Sequence, residues 1–133
     1  MQDTPLTEYQ NQLREAGVQA VVLESGPIML ALTGVRWGKS ERTFAAIIPA
    51  KGDPAWVLPG FEEMRARELI KPANADIRVW QEDESPYALI VKALKDRGVT
   101  TGKVGIDENA RFFVFDGIRK LAPGLTYIPA PAV

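Results

Sequence analysis

Residues 43–59 read TFAAIIPAKGDPAWVLP, two apolar runs separated by turn-forming residues. The first run covers residues 43–49 and the second covers residues 55–59, with Lys51, Gly52, Asp53 and Pro54 between them. Apolar runs bounded by Gly, Asp and Pro are typical of a β-hairpin. The hairpin is the expected antiparallel part of a sheet that the rest of the chain must cover.

Segments on both sides of the hairpin alternate between helical and extended patterns. The clearest predicted helix begins after Ser85, its N-terminal cap, and ends at Gly98, with Pro86 in its first turn. A capping serine, an early proline and a final glycine are typical of a helix. Strands alternating with helices predict an α/β layered sheet. Besides the hairpin, we predict helices at residues 6–16, 27–33, 62–71, 86–97 and 109–121, and strands at residues 20–23, 77–80, 103–106 and 125–128.

The last predicted helix is rich in aromatic residues. A helix with several phenylalanines must bury some of the rings, so we expect a core role. A platform for stacking nucleobases is the alternative, but no basic groove accompanies the rings. The residues expected to face the core are Phe112, Phe113, Val114, Phe115, Ile118 and Leu121.

Composition limits the possible functions. The chain has 133 residues, enough for one domain, and 16 Lys and Arg stand against 17 Asp and Glu, so no net field favours nucleic acid or a membrane as a partner. It contains no cysteine and no histidine, which removes thiolate chemistry, the usual general base and the commonest zinc ligand. No signal pattern or apolar run of about 18 residues is present. We therefore expect a cytoplasmic protein.

Three short motifs have simple structural explanations. The turn at residues 23–27, LESGP, has one glycine, and Glu24 would repel a phosphate, so we predict a tight strand-to-helix turn. The carboxylates at residues 82–84 and 107–108 could hold a hard cation, but neither has calcium-loop spacing. Each precedes a predicted helix, where negative charge is favourable. We predict a solvated helix start at both places.

The loop at residues 35–42 is the strongest candidate for a binding segment. It contains Arg36, Trp37, Lys39 and Arg42, and Trp and Arg are the residue types that anchor interfaces and bind carboxylates. The alternative is a solvated loop with Trp37 folded back on the sheet.

Several segments together resemble the N-terminal domain of the creatinase/prolidase group of metallopeptidases, which includes Xaa-Pro dipeptidase and aminopeptidase P. The resemblance extends from residue 6 to residue 128 and depends on the order and spacing of the segments. They are REAGVQAVVLES at residues 14–25, LTG at 32–34, TFAAIIPAKGDPAWVLPGFEEMRARE at 43–68, SPYALIVKAL at 85–94, KVGIDEN at 103–109 and FFVFDGIRKLAPG at 112–124.

The resemblance implies a ribonuclease H-like fold, a mixed and mostly parallel sheet with helices on both faces. It implies a domain at residues 1–128 and, at 129–133, the start of a linker to a C-terminal catalytic domain of pita-bread fold. That second domain would hold two divalent metal ions, such as Mn, Co or Zn, through two Asp, two Glu and one His. This chain would then have no catalytic or metal residues of its own.

The resemblance also implies a homodimer or higher homo-oligomer that acts on proline-containing peptides. The loop after Leu32-Thr33-Gly34 would reach the neighbouring subunit's active site, which makes Arg36, Trp37 and Arg42 candidate substrate-binding residues. The family's usual N-I-x-Y pattern before L-T-G is replaced by Ile28-Met29-Leu30-Ala31, which leaves the expected fold unchanged but weakens the expectation of ordinary Xaa-Pro specificity. Alternatives are a free-standing binding or scaffold domain and the accessory domain of a non-peptide hydrolase such as creatinase.

Overall fold

The computed structural model describes residues 4–133, and residues 1–3 of the expected domain lie outside the described part of the chain. Helices and strands alternate along most of it, as predicted. The helices are α1 (Pro5–Ala16), α2 (Pro27–Thr33), α3 (Glu63–Leu69, after a 3-10 turn at Gly60–Glu62), α4 (Pro86–Asp96) and α5 (Phe112–Leu121). The strands are β1 (Val18–Glu24), β2 (Ala45–Pro49), β3 (Ala55–Pro59), β4 (Asp76–Trp80), β5 (Lys103–Ile106) and β6 (Thr126–Pro129).

These six strands form one sheet in the spatial order β4-β3-β2-β1-β5-β6. β2 runs antiparallel to both of its neighbours, β1 and β3. The other three pairings are parallel. The mixed, mostly parallel sheet and its β2–β3 hairpin are thereby confirmed.

Helices cover both faces of the sheet, and the strands alternate between two cores. In β2, Ala45 and Ile47 face the core under α4 and α5, whereas Ala46 and Ile48 face the core under α1, α2 and α3. All of β2 is buried, because the strand is central and helices cover both faces of the sheet. A strand in this position is apolar along its whole length.

Local signals set the helix ends. The Thr4 hydroxyl accepts a hydrogen bond from the Thr7 N–H at 3.1 Å at the start of α1, and Gly17 ends that helix with φ of 71°. Ser85 caps α4 by accepting from the Ala88 N–H at 3.2 Å. The predicted first helix and the predicted Ser85 cap are both confirmed.

The start of α5 differs from the prediction. The helix begins at Phe112, three residues later than expected, so Phe112 and Phe113 lie in its first turn and are 70% and 45% exposed. Leu121 is also 50% exposed. The core assignment of these three residues was wrong, because the fully buried residues of α5 are Val114 and Ile118, whereas Phe112, Phe113 and Leu121 lie in the first and last turns of the helix.

The C-terminal residues continue along the edge of the sheet. The Ala130 N–H donates to the Ile106 carbonyl at 2.8 Å. From α1, the Tyr9 hydroxyl donates to the Pro131 carbonyl and the Gln12 amide donates to the Ala132 carbonyl, both at 2.7 Å. Between residues 4 and 133, none of the helices has the length and apolar character needed to cross a membrane.

Candidate functional site

The candidate loop at residues 35–42 leaves α2 from a fixed point. Gly34 ends the helix with φ of 78°, a left-handed conformation that glycine adopts without strain. The Thr33 hydroxyl donates to the Met29 carbonyl at 2.6 Å and accepts from the Val35 N–H at 3.2 Å. Val35 is buried. The LTG segment therefore anchors the loop and determines where Arg36 and Trp37 emerge.

Trp37 is held against the sheet and is half-buried. Its ring stacks on that of Phe44, with 4.4 Å between ring centroids and 22° between planes. Phe44 is buried and in turn contacts the edge of Trp56, with a centroid separation of 6.3 Å. The indole thus folds back on the sheet, as the alternative interpretation required, and its position is fixed by aromatic packing.

A cleft of about 560 Å³ opens between the start of α2, the loop and α3. Arg36 and Trp37 both line it, so the structure brings together two of the three predicted site residues. Arg65 of α3 also lines the cleft, and its guanidinium carbon lies 5.2 Å from the centroid of the Trp37 ring, a cation–π contact. Sequence reasoning missed Arg65, because nothing in the pattern of α3 indicates that this position faces a residue 28 positions earlier.

Arg42, the third predicted residue, does not line the cleft. Its guanidinium forms ion pairs with Glu82 at 2.7 Å and Glu41 at 3.1 Å, and it lies 5.0 Å above the ring of Phe61. The hydrogen bond to Glu82 raises the pKa of Arg42. Arg42 therefore ties the end of the loop to the segment after β4.

Glu24 and Asp107 form a buried polar cluster where β1 and β5 end. Glu24 is fully buried and Asp107 is 2% exposed. The carboxylate of Asp107 accepts the backbone N–H of Glu24 at 3.2 Å and that of Asn109 at 2.9 Å. The prediction of a solvated helix start was therefore wrong for Asp107, because its carboxylate satisfies backbone donors inside the protein. At residues 82–84 the carboxylates are exposed, as predicted.

The carboxylates of the described residues do not converge on one point. Within residues 4–133, no group of three or more His, Cys, Asp or Glu side chains could hold a metal ion. Glu24, the most deeply buried carboxylate, already accepts three hydrogen bonds from Arg111, donated by its backbone N–H, its Nε–H and its Nη2–H. The described residues thus do not fit the two-metal ligand set that the family resemblance implies for the catalytic domain.

The fold and the cleft define a small α/β domain with a cationic and aromatic cleft at one face of its mixed sheet. The chain belongs to the Creatinase/Prolidase N-terminal domain family, whose model matches residues 6–133. It is an N-terminal domain of the type found in prolidase-like peptidases.

Relatives with curated names or solved structures agree with this assignment. An uncharacterised peptidase from Schizosaccharomyces pombe is 34% identical over 120 residues, which cover 80% of this chain and 26% of that protein. A dipeptidase from Pyrococcus horikoshii has a TM-score of 0.81 at 26% identity and is matched over 95% of this chain and 34% of its own. The chain therefore spans about a quarter to a third of these longer proteins.

One solved relative is itself a domain of similar size. It is the creatinase/prolidase N-terminal domain of an X-Pro dipeptidase from Streptococcus pyogenes, with a TM-score of 0.76 at 17% identity, matched over 93% of this chain and 98% of its own. At this identity the match establishes the shared fold.

Proposed function

We propose that this chain is the non-catalytic N-terminal domain of a metal-dependent Xaa-Pro dipeptidase or aminopeptidase, in which it provides oligomer contacts and part of the substrate entrance. The observation that carries the proposal is the position of Arg36 and Trp37 together at a 560 Å³ cleft, directly after the LTG segment. In this proposal the loop at residues 35–42 faces the active site of a neighbouring subunit, whose catalytic domain holds the two divalent metal ions.

The chemistry of the cleft supports an entrance role. Arg36 is exposed and makes no ion pair with any residue from 4 to 133, so its guanidinium is available to a ligand. Trp37 is stacked on Phe44 and cannot turn away without losing that contact. An arginine free to pair beside a rigid indole suits the recognition of a peptide end.

Exposed apolar side chains at the start of α3 and just before it support the oligomer role. Phe61 is 64% exposed and Met64 is 81% exposed, and both lie close in sequence to Arg65. Exposed aromatic residues and methionine are enriched at protein interfaces. Arg42 contributes by holding Phe61 in place through its cation–π contact. Residues 129–133 then begin the connection to the catalytic domain.

Steady-state kinetics of the full-length enzyme on an Xaa-Pro dipeptide test the proposal. Arg36→Ala and Trp37→Ala should raise KM or lower kcat by about fivefold or more, the effect of losing one charged or aromatic contact. Arg119→Ala is the control, because Arg119 is an exposed arginine on α5, at the opposite face of the sheet. Unchanged kinetics in both loop variants would refute the proposed role of the loop in the substrate entrance.

The alternatives make different predictions. A free-standing binding domain requires a native product no longer than the 133 residues of this chain, which the intact mass of the protein in its source cells would reveal. An accessory domain of a non-peptide hydrolase requires a longer protein that is inactive on Xaa-Pro peptides. Metal-dependent cleavage of those peptides by a longer native product supports the proposal over both.

A further inference from the structure

The arginines of this chain divide into two groups. All nine lie within residues 4–133. Seven of them use their guanidinium groups in hydrogen bonds or ion pairs with carboxylates, side-chain amides or backbone carbonyls, namely Arg14, Arg42, Arg67, Arg78, Arg97, Arg111 and Arg119. The other two, Arg36 and Arg65, have no such partner within the described residues, and both line the same cleft.

The shape of this cleft suits a small ligand with one charged end. Pro27, Leu30 and Trp37 give it an apolar wall, and Arg36 and Arg65 supply the charge. Its volume of about 560 Å³ falls in the usual range for small-molecule sites. Arg65 lies over the Trp37 ring, so its guanidinium is oriented before any ligand binds.

We infer that Arg36 and Arg65 together bind the terminal carboxylate of a short peptide, with the last apolar side chain of that peptide against the wall of the cleft. The inference rests on the proposed function, and it adds Arg65 as a specificity-determining residue and the carboxylate as the group recognised. Two planar guanidinium groups match a planar carboxylate through paired N–H···O bonds. The apolar wall favours a peptide end over inorganic phosphate, which has no apolar part.

Direct binding to the 133-residue chain tests the inference. The probes are N-acetyl-Ala-Pro with a free carboxylate and the same compound as its carboxamide. Each is titrated while the arginine Nε–H signals are followed by NMR. The carboxylate should bind at millimolar concentration and shift the Arg36 and Arg65 signals, and the carboxamide should bind about tenfold more weakly.

Matched variants assign the effect to the two arginines. Arg36→Ala and Arg65→Ala should each weaken carboxylate binding about fivefold or more, and Arg65→Lys should restore only part of it, because an ammonium lacks the paired geometry. Arg119→Ala should bind like the unaltered chain. Neither cleft arginine is buried, so these variants should keep the fold, which thermal unfolding checks.

Equal binding of the carboxylate and carboxamide probes would overturn the inference, as would an absence of shifts at Arg36 and Arg65. Inorganic phosphate that competes as strongly as the peptide would also overturn it, because the site would then recognise anions in general. The full-length kinetics distinguish the two proposals. If Arg36→Ala alters the kinetics but the chain binds the carboxylate and carboxamide equally, the entrance role is supported and this inference is refuted. If the chain prefers the carboxylate but Arg36→Ala leaves the kinetics unaltered, this inference is supported and the entrance role is refuted.

Discussion

The carboxylate of Glu24 and the side chain of Arg111 join the end of β1 to the start of α5. Glu24 Oε1 accepts the Arg111 backbone N–H and Glu24 Oε2 accepts the Arg111 Nε–H, each at 2.9 Å. Glu24 is fully buried, whereas 28% of the Arg111 side chain is exposed. A buried carboxylate requires such partners, so this pair determines how α5 sits against the sheet.

Replacing Glu24 with glutamine should destabilise the domain by about 2 kcal/mol, because hydrogen bonds to a charged group are lost while one neutral acceptor remains. Urea unfolding at neutral pH measures the loss. Glu68→Gln is the matched control, since Glu68 is exposed on α3. Equal midpoints for the two variants would show that the Glu24–Arg111 pair contributes nothing to stability.

Gly117→Ala should also destabilise the protein, although alanine is the better helix former by about 1 kcal/mol. A Cβ at this position would lie 2.5 Å from the ring of Tyr87 on α4, too close for any real contact. Because the Tyr87 ring or one of the two helices must then shift, we expect a net loss of about 1–3 kcal/mol.

Gly124→Ala is the control, since a Cβ there meets no atom within 4 Å. The double variant with Tyr87→Ala should recover part of the loss, because the clash is removed. Thermal unfolding measures both, and a Gly117→Ala protein more stable than the original would refute the packing argument.

Much of the element order is predictable because its signals are local. Pro27 and Gly34 delimit α2, and the predicted bounds of residues 27–33 are confirmed without change. The turn at residues 51–54 likewise specifies the hairpin. The end of α3 shows the limit. The helix was predicted to continue to residue 71, but it stops at Leu69, and Ile70 is already extended with ψ of 129°. Pro72 disfavours helix only at Lys71, the residue directly before it.

Sequence patterns could not show how the polar groups are paired. Glu24 and Arg111 are 87 positions apart, so their contact depends on β1 lying beside β5 in the sheet. The sequence signal that could have indicated a buried role for Glu24 is its position directly after the apolar run AVVL. Nothing comparable marks Arg65, because its role depends on where the loop places Trp37. Periodicity also cannot show that the first turn of α5 is exposed, as Phe112 and Phe113 are.

Tyr9 should make the protein sensitive to alkaline pH. Burial, and to a smaller degree the negative charge of Asp107, raises the pKa of Tyr9 to about 12, whereas an unfolded tyrosine ionises near about 10. Between these values the unfolded chain loses the phenol proton and the folded chain retains it, so stability falls as pH rises. Below about pH 10 the contribution is fully present.

Urea midpoints measured from neutral pH to alkaline pH check this. Tyr9→Phe should cost about 1 kcal/mol at neutral pH, because the 2.7 Å hydrogen bond to the Pro131 carbonyl is lost. Its stability should then decline less steeply in the alkaline range. Parallel curves for the two proteins would contradict the assignment of the decline to Tyr9.

We expect protonation of Asp76 to account for part of the loss of folding stability at acid pH. Its carboxylate accepts hydrogen bonds from Arg78 at 2.9 and 3.1 Å and from Arg97 at 2.8 Å. The hydrogen bonds from Arg78, followed by the one from Arg97, lower the pKa of Asp76 against the opposing effect of partial burial. Arg97 also donates to the carbonyls of Asp53 and Pro54, so the network ties β4 to the hairpin turn.

A lowered carboxyl pKa gives stability that is present above the unfolded value, near about 3.9, and that is lost as pH falls through the folded value. Asp76→Asn should therefore reduce stability at neutral pH by about 1 kcal/mol, a small effect because the network is partly exposed to solvent. Below about pH 4 its stability should fall less steeply than that of the unaltered chain. Asp83→Asn, at an exposed position, should match the unaltered chain throughout. Acid unfolding curves that run parallel for all three proteins would show that the Asp76 network does not control the response.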